Sequence, residues 1–249
     1  MGRIRNSPGV LLFDLDGTLL PVGTDFFIKD YPDAAAPYFA HIIDPDRFKK
    51  ALFESTFDMV SNTDPQITNS TAFGRSFERK LGRKWTEIWP IFERFYQEEF
   101  PKLARLVPES KTSSCVISAC ISQGWELVLA TNPVFPETAI RERMRWCGVE
   151  KFPWLFITTL EAMHFCKPHT QYYQEIMDNL ELDPERCVMI GNDVQEDMVA
   201  AELGMETILV EDYCINRDGR RAVNGDSQYM RGLLKDVPEI TGQIIKEIT

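Results

Sequence analysis

A chain of 249 residues that is 44% hydrophobic and 26% charged can bury the core of one large domain, or of a domain plus a smaller one, and general disorder is excluded. Its 38 acidic and 27 basic side chains leave a net charge of −11. That balance argues against nucleic acid or an anionic membrane as the main partner, because either requires a basic face.

The first predicted element is the apolar run 10–13, a buried strand that ends at Asp14-Leu15-Asp16 and then turns at Gly17-Thr18. Carboxylates are costly to bury unpaired, so this strand tip belongs in a cleft opposite positive charge. Residues 21–108 contain no strand pattern but many aromatics at helical spacing. Asp44-Pro45 reads as the N-cap and first-turn proline of a helix whose apolar face carries Phe48, Leu52, Phe53, Phe57 and Val60. Phe73, Phe77 and Leu81 mark a second helix stopped by Gly82, and Thr86 is expected to cap a third carrying Ile88, Phe92, Phe95 and Tyr96. Pro101 and Pro108 bracket a connector. The polar segment 61–77 reads as a loop that offers Asn62, Asn69, Thr71 and Arg75 as substrate contacts.

From about residue 109 helices and strands alternate. A helix through Val116, Ile117, Cys120 and Ile121 ends at Gly124, followed by a strand within 125–132. The next helix starts near Pro136 and places Ile140, Met144 and Cys147 on one face, with the basic run 141–145 on its exposed side. Strands at 155–159, 187–193 and 206–212 alternate with helices at 170–180 and 196–203, the last closing at Gly204. The stretch from Tyr213 to about Gln228 is expected to be loop, with a closing helix after it. This pattern predicts an α/β fold: a Rossmann-like parallel sheet with helices on both faces, plus an inserted helical cap. Residues 1–20 and 109–249 are read as a discontinuous core and 21–108 as the cap. Ligands of such sheets bind beyond the carboxyl ends of the strands.

No apolar run approaches the roughly 20 residues needed to cross a bilayer. The amino-terminal one is cut by Asp14 and Asp16, and MGRIRNS departs from a myristoylation signal at Asn6. The cysteines at 115, 120, 147, 166, 187 and 214 form no CxxC pair, so they read as reduced thiols of a cytoplasmic protein and not as a zinc site. The histidines at 41, 164 and 169 are not read as ligands.

DLDGTL at 14–19, Thr131-Asn132 at a strand end, Lys167-Pro168 and GNDVQED at 191–197, in that order, resemble the four motifs of the haloacid dehalogenase superfamily of hydrolases. The resemblance covers residues 8–20 and about 109–212, and the helical insertion resembles that superfamily's cap between its first and second motifs. It implies a nucleophilic Asp14 that forms an aspartyl phosphate, and an Asp16 that acts as general acid and then base. Relatives that cleave carbon–halogen bonds lack this second acid. The resemblance further implies Mg2+ held by Asp14, Asp193 and the main-chain carbonyl of Asp16. Thr131, Asn132 and Lys167 would bind the phosphoryl group, and Asp197 would orient Lys167 or a metal-bound water. The sequence departs from the common pattern at Asn192, Pro133 and His169; Asn192 is read as a tolerated variant or a minor orienter. The implied activity is magnesium-dependent hydrolysis of a small phosphorylated metabolite. A phosphomutase or phosphotransferase using the same intermediate is an alternative, as is an idle relative that binds a phospho-ligand or a protein. Substrate identity and oligomeric state stay open.

Overall fold

The computed structural model describes residues 7–217 and 229–248. Strand β1 (Val10–Phe13) runs straight into the acidic turn. A π-helical turn, Phe26–Asp30, then leads into α1 (Tyr31–Phe39), α2 (Pro45–Val60), α3 (Asn69–Leu81) and α4 (Trp85–Glu98), with a 3-10 helix at Phe100–Leu106. Beyond these come α5 (Thr112–Ser122), β2 (Glu126–Leu129), α6 (Glu137–Trp146), β3 (Trp154–Ile157), α7 (Thr170–Leu180) and β4 (Cys187–Gly191). A 3-10 helix at Met198–Leu203, β5 (Glu206–Val210), β6 (Met230–Gly232) and α8 (Val237–Ile248) complete the described chain.

All six strands pair in parallel in the order β3-β2-β1-β4-β5-β6. β1 is therefore central, and the sheet's winding reverses beside it, which is where open α/β sheets bind ligands. Alternate residues of each strand face opposite ways. Leu11, Phe13, Leu129 and Ile190 join a core shared with Ile117 of α5, Ile140 of α6 and Val237 of α8. Leu12, Val128 and Met189 face the other side, against Tyr172, Ile176 and Met177 of α7. The near-continuous apolar runs of these strands follow from this two-sided cover.

Helices α1–α4 pack round a cluster of rings. Phe39 lies 4.4 Å from Phe48 and 4.6 Å from Phe92, and Phe77 lies 5.5 Å from Phe92. Asp44 caps α2 by accepting from the main-chain N–H groups of Asp46 and Arg47, and Gly82 ends α3 in the left-handed conformation.

Several expectations need correction. Segment 26–39, for which no element was expected, is helical; Pro32 sits in the first turn of α1, where a missing N–H costs nothing. Helix α4 begins at Trp85 after an extended Lys84, so Thr86 lies inside it and is not the cap. The apolar face drawn on α2 is too broad, since Phe53 is 43% and Phe57 72% exposed. Segment 61–77 is largely helix α3, entered through a Thr68 cap. The three-residue strand β6 follows the stretch expected to be loop. Residues 218–228 of that stretch lie outside the described residues, as does the amino-terminal MGRIRN. Tyr213–Arg217 is tied to the segment that follows β4, with Ile215 donating to the carbonyl of Asn192 and accepting from the N–H of Val194. Among the described residues no helix is long and apolar enough to cross a membrane.

All six cysteines are free thiols, with Cys115 and Cys214 exposed and the others buried. Burial pushes the Cys120 thiol up to about 11 and those of Cys147 and Cys187 up to about 12. The native protein at pH 8 is expected to react with a thiol-disulfide reagent at two positions, Cys115 and Cys214, and at six after denaturation. Spectrophotometric thiol titration checks this; rapid native labelling of Cys120 or Cys147 would contradict it.

Candidate active site

The loop after β1 folds tightly back on itself. The N–H of Gly17 donates to the carbonyl of Leu20 at 2.8 Å, and the N–H of Leu20 donates to that of Leu15 at 2.7 Å. Gly17 has φ +84°, and a side chain there would meet the amide of Asn192. Asn192 accepts from the Thr18 hydroxyl at 3.1 Å and donates to the carbonyl of Tyr213 at 2.7 Å. It thus ties the first loop to the segment after β5, a structural role that its reading as a tolerated variant missed.

Asp14, Asp16, Thr131, Asn132, Asp193 and Asp197 line one cleft at the carboxyl ends of β1, β2 and β4. Lys167 reaches the same place from the loop before α7, with its ammonium 2.9 Å from Asp14 and 2.6 Å from Asp197. The other Asp197 oxygen accepts from the N–H of Asp193 at 2.9 Å. Gly191 permits this approach, because a Cβ there would fall 2.1 Å from that oxygen. The sequence-named residues are therefore gathered together. Thr131 is fixed through its carbonyl, which accepts from the hydroxyls of Thr158 (2.7 Å) and Tyr172 (2.8 Å). Asn132 donates to Glu196 at 3.1 Å.

Three residues of this site were not picked out by sequence reasoning. Arg143 lies on α6 within the basic run expected to face solvent, yet it is 0% exposed. Its guanidinium stacks 4.3 Å from the centre of the Phe135 ring and pairs with Asp16 at 2.5 Å. A signal was present: residue 143 is three after Ile140 and four before Cys147, on the apolar face of the helix. Glu196 lines the cleft beside Asp193. Arg217 engages both Asp193 oxygens, at 2.9 and 2.7 Å, and Glu196 at 3.2 Å. No periodicity marks Arg217, since it sits in a polar, irregular stretch. Conversely, Asn62, Asn69, Thr71 and Arg75 do not line the cleft. Asn69 anchors α3 by bonding the carbonyls of Met163 and Phe165, and Arg75 belongs to a separate surface hollow with Arg79.

Burial dominates the electrostatics. It raises the Asp14 carboxyl above its ordinary range against the pull of Lys167, and raises Asp16 against that of Arg143. Asp197 is pushed up to about 6 and Glu196 to about 7, in both cases chiefly by burial. Burial works against the charge of Lys167, but Asp14 and Asp197 together outweigh it and hold the ammonium charged. The site thus has more carboxylates than cations to balance them, and one buried oxygen of half-buried Asp16 has no hydrogen-bond partner. These are hard oxygen donors of the kind a small divalent cation takes. Among the described residues no three His, Cys, Asp or Glu side chains group closely enough to hold a metal by themselves. The expected set requires only two side chains and a main-chain carbonyl, so the residues present fit it.

A parallel sheet that gathers carboxylates and a lysine at its switch point puts a charged site where open α/β sheets bind ligands. The profile of the haloacid dehalogenase-like hydrolases matches residues 9–204, and the chain belongs to that family. It is 22% identical over 197 residues to pyrophosphatase PpaX of Bacillus pumilus (strain SAFR-032), covering 79% of this chain and 80% of that protein. It is 31% identical over 110 residues to glyceraldehyde 3-phosphate phosphatase of Methanothermobacter thermautotrophicus, covering 44% of this chain and 47% of that one. The crystal structure of the HAD phosphatase from Thermococcus onnurineus superposes with a TM-score of 0.57 at 18% identity, over 94% of this chain and 98% of that one. That likeness is one of fold.

Replacing Arg143 by Met leaves half-buried Asp16 without its partner, an expected loss of about 2 kcal/mol at pH 8. Without Arg143 the folded-state pKa of Asp16 rises further, so the folded variant binds a proton more tightly than the unfolded chain does. The deficit relative to wild type should shrink as the pH falls through that raised value. Denaturant unfolding of both proteins at pH 8 and pH 5 checks this; a gap that stays constant or widens at pH 5 would contradict it.

Proposed function

We propose that this hydrolase cleaves phosphoric monoesters through an aspartyl phosphate on Asp14. The observation that carries this reading is the second carboxylate, Asp16, half-buried in the same cleft. A halide leaves as a stable anion and needs no proton, whereas an alkoxide does, so a positioned acid beside the nucleophile suits ester chemistry. The name of one relative, a glyceraldehyde 3-phosphate phosphatase, supports the same substrate class, and that of the pyrophosphatase supports phosphoryl chemistry more broadly.

Asp14 attacks phosphorus as the bond to the leaving oxygen breaks, and Asp16 delivers a proton to that oxygen. Asp16 then takes a proton from the water that attacks the aspartyl phosphate, releasing inorganic phosphate and restoring Asp14. The N–H of Asp14 donates to the carbonyl of Ile190 at 2.9 Å, which fixes the backbone of the nucleophile within the sheet. Lys167, the Thr131 hydroxyl and Asn132 bind the phosphoryl oxygens, and Asp197 positions Lys167. Asp14, Asp193 and the carbonyl of Asp16 would hold Mg2+, whose charge would offset that of the carboxylates and of the substrate.

The helical segment 21–108 acts in this reading as a cap on a core made of 1–20 and 109–249, closing over a small phosphorylated metabolite and limiting water. The free thiols support residence in a reducing compartment, the cytoplasm.

Hydrolysis of para-nitrophenyl phosphate tests the reading. Turnover is expected with Mg2+ and to be lost with a chelator, and Asp14→Asn should lower kcat by about 10^4-fold. Turnover that survives in Asp14→Asn would sink the covalent mechanism.

A further inference from the structure

Next to the catalytic cleft lies a second cavity of about 670 Å3, its open mouth included. The two share walls at Phe27, Val134 and Phe135, so whatever is bound in one adjoins the other. The second cavity is bounded by α1, α2, α3 and α4 on one side and by the loops after β2 and β3 on the other. The space within it that water could occupy is about 140 Å3, close to that of a cavity that takes benzene.

The chemistry of the walls is uniform. No charged side chain lines them, and most of the lining is aromatic. The few hydroxyls are largely engaged. Tyr31 and Tyr96 bond to each other at 2.9 Å, and Thr56 donates to the carbonyl of Leu52 at 2.9 Å. A sugar placed here would give up water at several hydroxyls for few partners, and a carboxylate or second phosphate would find no cation. Phe53, 43% exposed, forms part of the rim.

We infer that this cavity receives the leaving group of the substrate, and that the leaving group is an uncharged, largely apolar alcohol or phenol bearing an aromatic ring or a branched chain. This rests on the phosphatase reading above and narrows it. The overall reaction takes ROPO3 2− and water to ROH and HPO4 2−, with R seated among the rings. Offset or edge-on stacking against Phe27, Phe73 and Trp89 would supply the selectivity.

The test compares esters of primary alcohols, so that leaving-group reactivity is held nearly constant. With Mg2+ present, kcat/KM is measured for 3-phenylpropyl phosphate, ribose 5-phosphate and 3-phosphoglycerate, together with pyrophosphate and acetyl phosphate. The phenylpropyl ester is expected to exceed the sugar, the acid and pyrophosphate by about 100-fold or more. Phe53→Asp places a charge at the rim at an exposed position that folding tolerates. It should lower the ratio of phenylpropyl phosphate to acetyl phosphate turnover by about tenfold. Asp14-dependent turnover of acetyl phosphate with no preference for the phenylpropyl ester would overturn the leaving-group inference and leave the phosphatase reading intact. Absence of turnover on every compound would overturn both.

Discussion

The ammonium of Lys167 is the interaction on which the rest of this molecule depends. It is 1% exposed and lies between Asp14 and Asp197 at hydrogen-bonding distance from each. Either carboxylate alone at that depth would be driven to neutrality, and so would the lysine. Together they permit charge to persist at the tip of the central strand. The arrangement extends outward: Asp197 also receives the N–H of Asp193, and Asp193 in turn holds Arg217. On the opposite side Arg143 performs a similar service for Asp16 from within an apolar helix face. A cluster of buried acids is thus held by cations that each come from a different segment of the chain.

The helical insertion answers to a different constraint. Its helices have no sheet to lie on, so they bury rings against rings, with Phe92 touching Phe39, Phe73 and Phe77. Rings pack at restricted angles and leave gaps that flexible aliphatic side chains would fill. Where the ring cluster meets the loops after β2 and β3, such a gap opens beside the charged cleft. Apolar cavity and polar cleft therefore meet at the seam between two packing regimes.

Much of this was legible in the sequence, for identifiable reasons. Strands β1 and β4 are buried on both faces, so their apolar runs stand out, and their polar ends mark where burial stops. The left-handed glycines 82, 124 and 204 close their helices where the periodicity ends. The residues named from the motifs do converge, and what each does there is a matter for kinetics. Other features were hidden because the local signal was weak or pointed elsewhere. Strand β6 has only three residues, too short for periodicity, and it exists because β5 offers it an edge. Helix α1 carries an internal proline, Pro37, and is held by packing that overrides it. Arg143 looks like any surface arginine until its position on the helix is counted, and the value of Asn192 lies entirely in a contact with residues 18 and 213, far away in sequence.

That distance has a consequence for how the protein comes into being. Asp14 and Lys167 are 153 residues apart, and the second partner of Lys167 lies another 30 residues on. As the chain leaves the ribosome, the acidic loop emerges first and remains in water through the synthesis of every helix of the insertion. Contacts so far apart form late, after the entropy of closing the long loop has been overcome. The same charges that make the finished site reactive thus keep its first strand's end hydrated and soluble during synthesis. The set of buried charges is complete only once β4 lies beside β1 and brings Asp197 to Lys167.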